Sequence, residues 1–211
     1  MEVMMDVFRT EQEAFWAGSF GNEYVSRNKS PQLLASNMAF FSKIIPRTVG
    51  VKSLVEFGAN VGMNLHAIRT LLPNVELSAV EINQHAVTEL NKLQSISVYP
   101  QSILDFRPDR TWDMVLIKGV LIHINPERLN QVYDLLYRSS SCYICIAEYY
   151  NPSPVEVMYR GHSGKLFKRD FAGELLDRYP DLKLVDYGFA YRRDICFPQD
   201  DITWFLLEKT R

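Results

Sequence analysis

The chain has little cysteine, little excess charge and no long apolar run, and each shortage removes a class of protein. Three cysteines in 211 residues do not make a disulfide framework. Cys142 and Cys145 form a C-x-x-C spacing, but they stand in the apolar β-rich run "SCYICIAEYY". Side chains three apart on a strand point to opposite faces, so both are read as packing residues. The net charge is −2 without a basic run, which argues against a nucleic-acid partner. No stretch approaches the roughly 20 apolar residues of a membrane span. The start "MEVMMDVFRTEQEAFW" lacks the basic beginning and small-residue cleavage site of a signal peptide, so the expected location is the cytoplasm. His66, His85, His123 and His162 are scattered and do not cluster with acids, so no metal is expected. A dinucleotide fingerprint is missing too: counted from Gly58, its third and sixth positions are Asn60 and Met63 instead of glycine.

What is present is an alternation. The length suits one α/β domain with a small addition. "SPQLLASNMAFFSKII" starts a helix with Ser30 as N-cap and Pro31 at the first position. Short apolar runs then predict parallel strands at 52–57, 75–80, 96–100, 112–118 and 142–148, with helices at 60–72, 84–93 and 126–138 between them. Two further strands, 182–193 and 201–209, are separated by only "DICFPQD". That gap is too short for a parallel crossover and predicts an antiparallel pair. The expected fold is a doubly wound α/β, Rossmann-like, mostly parallel seven-stranded sheet with an antiparallel C-terminal hairpin. Residues 1–48 are read as an N-terminal helical cap region and 49–211 as the main domain.

The candidate site begins at "VEFGANVGMN" (55–64), a buried strand entering a turn. Gly58, Asn60 and Gly62 resemble the G-x-G-x-G turn of class I S-adenosylmethionine-dependent methyltransferases, with an asparagine in the middle that tolerates left-handed backbone. The donor-binding candidates at this turn are Glu56, Gly58, Ala59, Asn60 and Gly62. About 20 residues on, an acid is expected to accept two ribose hydroxyls; Glu81 stands there, followed by Ile82. Ser102 and Ile103 in "YPQSILDF" are candidates for the adenine. Lys118, Gly119 and Val120 open "KGVLIHINPE", which looks like the loop lining a methyltransferase donor pocket. Trp16, Tyr24 and Arg27 are expected to fold over the donor, Arg27 facing its carboxylate.

"EAFWAGSFGNEYVSRN", the two central motifs, and residues 148–194 and 200–209 are also similar to the pseudaminic acid biosynthesis-associated methylases. That resemblance implies a methyltransferase with S-adenosylmethionine as cofactor, acting on oxygen or nitrogen of a sugar-derived small-molecule or glycan acceptor in surface-glycan or capsule formation. A non-sugar metabolite as acceptor, or a silent donor-binding regulatory subunit, are the alternatives. His123, past the fourth strand, is the candidate base, its unperturbed pKa lying near working pH. The stretch 148–171 exceeds a crossover loop and is read as the acceptor loop, with Tyr149, Tyr150, Asn151, Arg160, His162 and Lys168 as substrate candidates.

Overall fold

Seven strands form one sheet in the computed structural model, which describes residues 8–210. The first seven residues of the expected cap region, and Arg211, lie outside the described residues. The central strands are β1 (Ser53–Phe57), β2 (Glu76–Val80), β3 (Ile96–Tyr99), β4 (Trp112–Lys118) and β5 (Ser140–Glu148), all parallel. Two short strands, β6 (Val155–Glu156) and β7 (Phe167–Lys168), pair with each other alone. β8 (Leu182–Ala190) and β9 (Ile202–Lys209) return antiparallel, so the order is β3-β2-β1-β4-β5-β9-β8. The last strand in sequence therefore inserts beside β5, and β8 forms the edge.

Burial on both faces explains why β1 and β4 read as unbroken apolar runs instead of alternating ones. On one face, Leu54, Leu77, Met114 and Leu116 pack with α3 (Pro31–Ile44), α4 (Met63–Leu71) and α5 (Gln84–Leu90). On the other, Val55, Val115, Ile144 and Ile146 pack with α6 (Leu129–Ser139) and α7 (Phe171–Arg178). Phe40, Phe41 and Ile44 of α3 belong to the first of these cores. Burying each contributes roughly 1.5–3 kcal/mol, so α3 is a sheet-covering helix, and among the described α-helices α1 (Glu11–Ala17) and α2 (Ser19–Arg27) lie outside the two layers. Ser30 caps α3 by accepting the Leu33 N–H at 3.0 Å, with Pro31 in its first turn.

Two details depart from the sequence reading. The 148–171 stretch is not an open loop, since it carries the β6–β7 hairpin and ends at α7, which Asp170 caps through the Gly173 N–H. The cysteines are not cleanly separated either. Cys145 is buried in the α3-side core, and Cys142 also reaches its edge, beyond the register shift between Trp112 and Met114. Both are free, and burial pushes the Cys145 thiol up to about 12.

Gly62 is needed for packing. Its φ is +79°, and a Cβ there would stand 2.6 Å from Leu93 Cδ1 and 2.9 Å from Leu90 Cδ2. Left-handed backbone costs a non-glycine residue about 1–2 kcal/mol, and overpacking adds about 1–3. Gly62→Val is expected to lower unfolding free energy by about 2 kcal/mol or more, read as the urea midpoint; an unchanged midpoint would contradict this packing.

Candidate functional site

The strand order reverses direction between β1 and β4, the place where doubly wound sheets open a crevice at their carboxyl ends. A cavity of about 240 Å³ lies there. Its floor is the β1 turn. Gly58 has φ +74°, and a Cβ would meet Val120 Cγ2 at 2.5 Å. Asn60 takes φ +48°, the left-handed conformation its side chain was expected to tolerate. The Gly58 N–H donates to the Val80 carbonyl at 2.8 Å, tying the turn to the end of β2.

Glu81, next after β2, is 7% exposed. Its Oε2 accepts the Asn60 N–H at 2.7 Å and its Oε1 the Asn83 N–H at 2.8 Å. Ile82 adds a backbone contact to the same carboxylate, and with about four lone-pair sites the group keeps acceptor capacity for a ligand. Burial raises its pKa, against those backbone bonds. The acid thus fixes the turn and still offers acceptors to the cavity it lines.

The roof comes from α1 and α2. Thr10 and Glu13 form a capping box, and the other Glu13 oxygen accepts the Ser102 hydroxyl. Gln12 Nε2 donates to the Gly164 carbonyl at 2.8 Å. Asn83, the N-cap of α5, donates to the Trp16 carbonyl at 3.0 Å and to Asn22 Oδ1 at 2.8 Å. Glu13→Ala removes charged bonds worth about 1.5–3 kcal/mol each. It is expected to speed hydrogen exchange of the α1 amides at least about tenfold while sheet amides stay protected; unchanged α1 protection would refute the latch.

The wall after β4 is held by Glu148. Its Oε1 accepts the Val120 and Leu121 N–H groups, both at 2.9 Å, and its Oε2 the Ile122 N–H at 3.4 Å. Burial outweighs these bonds and pushes its carboxyl up to about 7. Burial likewise raises Glu56 to about 8, although Asn64 donates to it at 2.6 Å. Lys118 at the end of β4 is lowered by burial, with Glu56, Asp200 and Glu148 opposing that shift.

His123 ends the short 3-10 helix Leu121–His123 and lines the cavity. Its Nδ1 lies 2.6 Å from the Lys165 carbonyl. A carbonyl only accepts, so Nδ1 carries the proton and Nε2 keeps its lone pair. The ring packs 4.6 Å from Trp16 and 4.9 Å from Tyr159, centroid to centroid. Burial lowers its pKa to about 4, which corrects the expectation of a titration near neutrality.

Of the residues expected at the donor, Trp16, Tyr24, Gly58, Ala59, Asn60, Glu81, Ile82, Ser102, Ile103, Lys118, Gly119 and Val120 line this cavity. Glu56 and Gly62 lie behind the turn, and exposed Arg27 stands outside, its guanidinium 6.0 Å from the Phe20 ring centroid. The six substrate candidates are not among the lining residues. Tyr150 sits over Phe205 at 6.0 Å and Lys168 over Tyr149 at 5.2 Å. His162 packs on Phe15 and Phe20, and Arg160 is exposed. The stretch instead buttresses α1 and holds His123 through Lys165. In its place the chain brings Asn37 of α3 and Pro198, Gln199 and Asp200 before β9 to the cavity, with Gln199 donating to Asn37 at 3.0 Å. The capping box T-x-x-E at Thr10–Glu13 was readable as a motif. Gln199 and Asp200 carry no local signal and arrive only through the insertion of β9.

No group of three or more His, Cys, Asp or Glu side chains is placed to hold a metal ion among the described residues, and no described helix is long and apolar enough to cross a membrane. No family model and no curated protein matches the sequence. Solved structures do match the fold. Magnesium protoporphyrin IX methyltransferase from Synechocystis, with bound S-adenosylhomocysteine, superposes with a TM-score of 0.69 at 10% identity, over 96% of this chain and 100% of that one. The 1,6-didemethyltoxoflavin-N1-methyltransferase of Burkholderia thailandensis gives 0.67 at 12%, over 95% and 87%. An amino pentose methyltransferase from Micromonospora echinaspora gives 0.63 at 11%, over 90% and 96%. The chain has the fold of S-adenosylmethionine-dependent methyltransferases. At these identities the likeness carries the architecture alone.

Proposed function

We propose that the chain is an S-adenosylmethionine-dependent methyltransferase acting on oxygen or nitrogen of a small, sugar-derived acceptor, as surface-glycan assembly requires. The observation that carries the donor assignment is Glu81, a buried carboxylate with free lone pairs at the lip of a glycine turn whose Gly58 leaves no room for a Cβ. A vicinal diol is what such an acceptor-only group binds best. The bound donor supplies an activated methyl group. The protein's own part is then to orient, exclude water and receive a proton. Glu81 takes the ribose hydroxyls, Ser102 and Ile103 flank the base, and Trp16 and Tyr24 close the roof. Burial pushes the Tyr24 phenol up to about 12, so it stays neutral.

The acceptor enters in this reading between α2, α3 and the 198–200 segment, where Asn37, Gln199 and Asp200 offer hydrogen bonds. His123 Nε2 takes the proton. The sugar preference is supported by the long resemblance to methylases of surface-sugar gene sets and by the amide and carboxylate character of this rim. Purified protein incubated with radiolabelled donor and a panel of nucleotide sugars, free amino sugars and unrelated metabolites tests it. Label in a sugar is the expected result. Label only in a non-sugar metabolite rejects the acceptor class, and donor binding with no labelled product anywhere favours a silent donor-binding subunit.

A further inference from the structure

We infer that Lys118 holds a ligand carboxylate in the cavity; resting on the donor reading above, this is the carboxylate of the donor's amino-acid tail. Lys118 ends β4 and follows Met114 and Leu116, which face the α3-side core. Alternation along a strand turns its side chain the same way, and its Nζ stands 5.6 Å from the Phe40 ring centroid. The side chain is half-buried and lines the cavity. An ammonium taken out of water needs a counter-charge or hydrogen-bond acceptors. Among the described residues Lys118 takes part in no ion pair and no hydrogen bond. Its nitrogen is not sealed off either, unlike the Trp16 Nε1, which is buried without a partner. None of the nearby acids is paired with it. Glu56 and Glu148, which burial raises to about 8 and about 7, are held by Asn64 and by the Val120, Leu121 and Ile122 N–H groups. Asp200 is exposed, where water and salt screen its charge.

These surroundings select a carboxylate as the anion. Lys118 is the one lysine or arginine among the described residues that line the cavity, and His123 is neutral above about 4. One cation balances a single negative charge. A phosphate monoester, at about −1.5 to −2 near neutrality, would be left uncompensated beside the buried Glu81. The donor's tail ends in such a single carboxylate, and Arg27, the residue expected to meet it, stands outside the cavity. Position agrees with charge. β1 lies between β2 and β4, so a spacing of about 4.8 Å between neighbouring strands puts the carboxyl ends of β2 and β4 about 10 Å apart. Glu81 at one end takes the ribose, the Gly58 turn lies between, and an amino-acid chain on that ribose reaches Lys118 at the other.

Calorimetry compares S-adenosylhomocysteine with its decarboxylated analogue, which keeps the ribose and the amine, on the parent and on Lys118→Met. The variant is expected to bind S-adenosylhomocysteine at least about tenfold more weakly, the scale of a lost charged hydrogen bond, and the analogue within about twofold of the parent. Lys118→Gln repeats the comparison if the methionine variant does not fold. D-Glucuronate, with D-glucose as the neutral control, is titrated onto the same proteins to find the other source of a carboxylate. Saturable glucuronate binding that is lost with Lys118 places the anion on the acceptor instead of the donor. A parent that binds no S-adenosylhomocysteine refutes the donor reading, and the glucuronate arm then decides the role of Lys118. Where the parent does bind it, loss of both nucleosides alike, or of neither, without Lys118-dependent glucuronate binding overturns the inference and leaves the donor reading in place.

Discussion

Glu81→Gln is expected to weaken binding of S-adenosylhomocysteine by about 2 kcal/mol, roughly 30-fold, each hydrogen bond to a charged group being worth about 1.5–3 kcal/mol before compensation. The amide keeps the side chain's shape but has a donor where one acceptor oxygen stood. Glu81→Ala goes further, because the carboxylate also satisfies the Asn60 and Asn83 N–H groups. Leaving those buried donors unpaired costs about 1–3 kcal/mol each, so the alanine variant is expected to lose melting temperature as well as affinity. Each carboxylate oxygen also holds one of these N–H groups, so Glu81→Gln gives up one of them where alanine gives up both, and melting temperature is read beside calorimetry in each variant. Unchanged affinity in Glu81→Gln would remove this residue from the donor site.

The largest effect on turnover is expected at His123. Removing a general base costs about 10²–10⁴-fold. His123→Asn is the sharper variant, since the amide can still donate to the Lys165 carbonyl where Nδ1 now does. Turnover should fall in both His123→Ala and His123→Asn, while donor affinity changes little. The pH dependence follows from the lowered pKa of about 4: above that value the ring is neutral and Nε2 available, so the parent's rate is expected to be flat through neutrality. The same shift affects stability. The unfolded histidine binds a proton below about 6.5 and the folded one only below about 4, so this group's contribution is full above 6.5 and is lost as pH falls through that window. Full turnover in His123→Asn would make His123 a latch for the β6–β7 segment and nothing more. A rate rising through neutrality and absent in the variant would instead contradict the burial described for the ring.

Much of the architecture was legible because parallel strands buried on both faces leave contiguous apolar runs, and β1, β2, β4 and β5 are such runs. The tight turn after β1 was legible because left-handed backbone narrows residue choice, as Gly58, Asn60 and Gly62 illustrate. The opposite wall of the cavity was not. Asn37 of α3 and Pro198, Gln199 and Asp200 before β9 line it, and they meet only after β9 passes between β5 and β8. A polar, aromatic stretch such as 148–171 looks like a binding loop in sequence, yet its aromatics serve packing: His162 lies against Phe15, and Tyr159 against His123. The pKa of His123 was equally invisible, since it depends on Trp16 and Tyr159, far from it along the chain.

Every functional role proposed for these residues requires the cavity at β1, β2 and β4 to be a methyl-donor site. Isothermal titration of the purified chain with S-adenosylhomocysteine, and separately with NAD, tests this most directly. Saturable one-to-one binding of the former and none of the latter is the expected result. No heat with S-adenosylhomocysteine, or tighter binding of NAD, would contradict it.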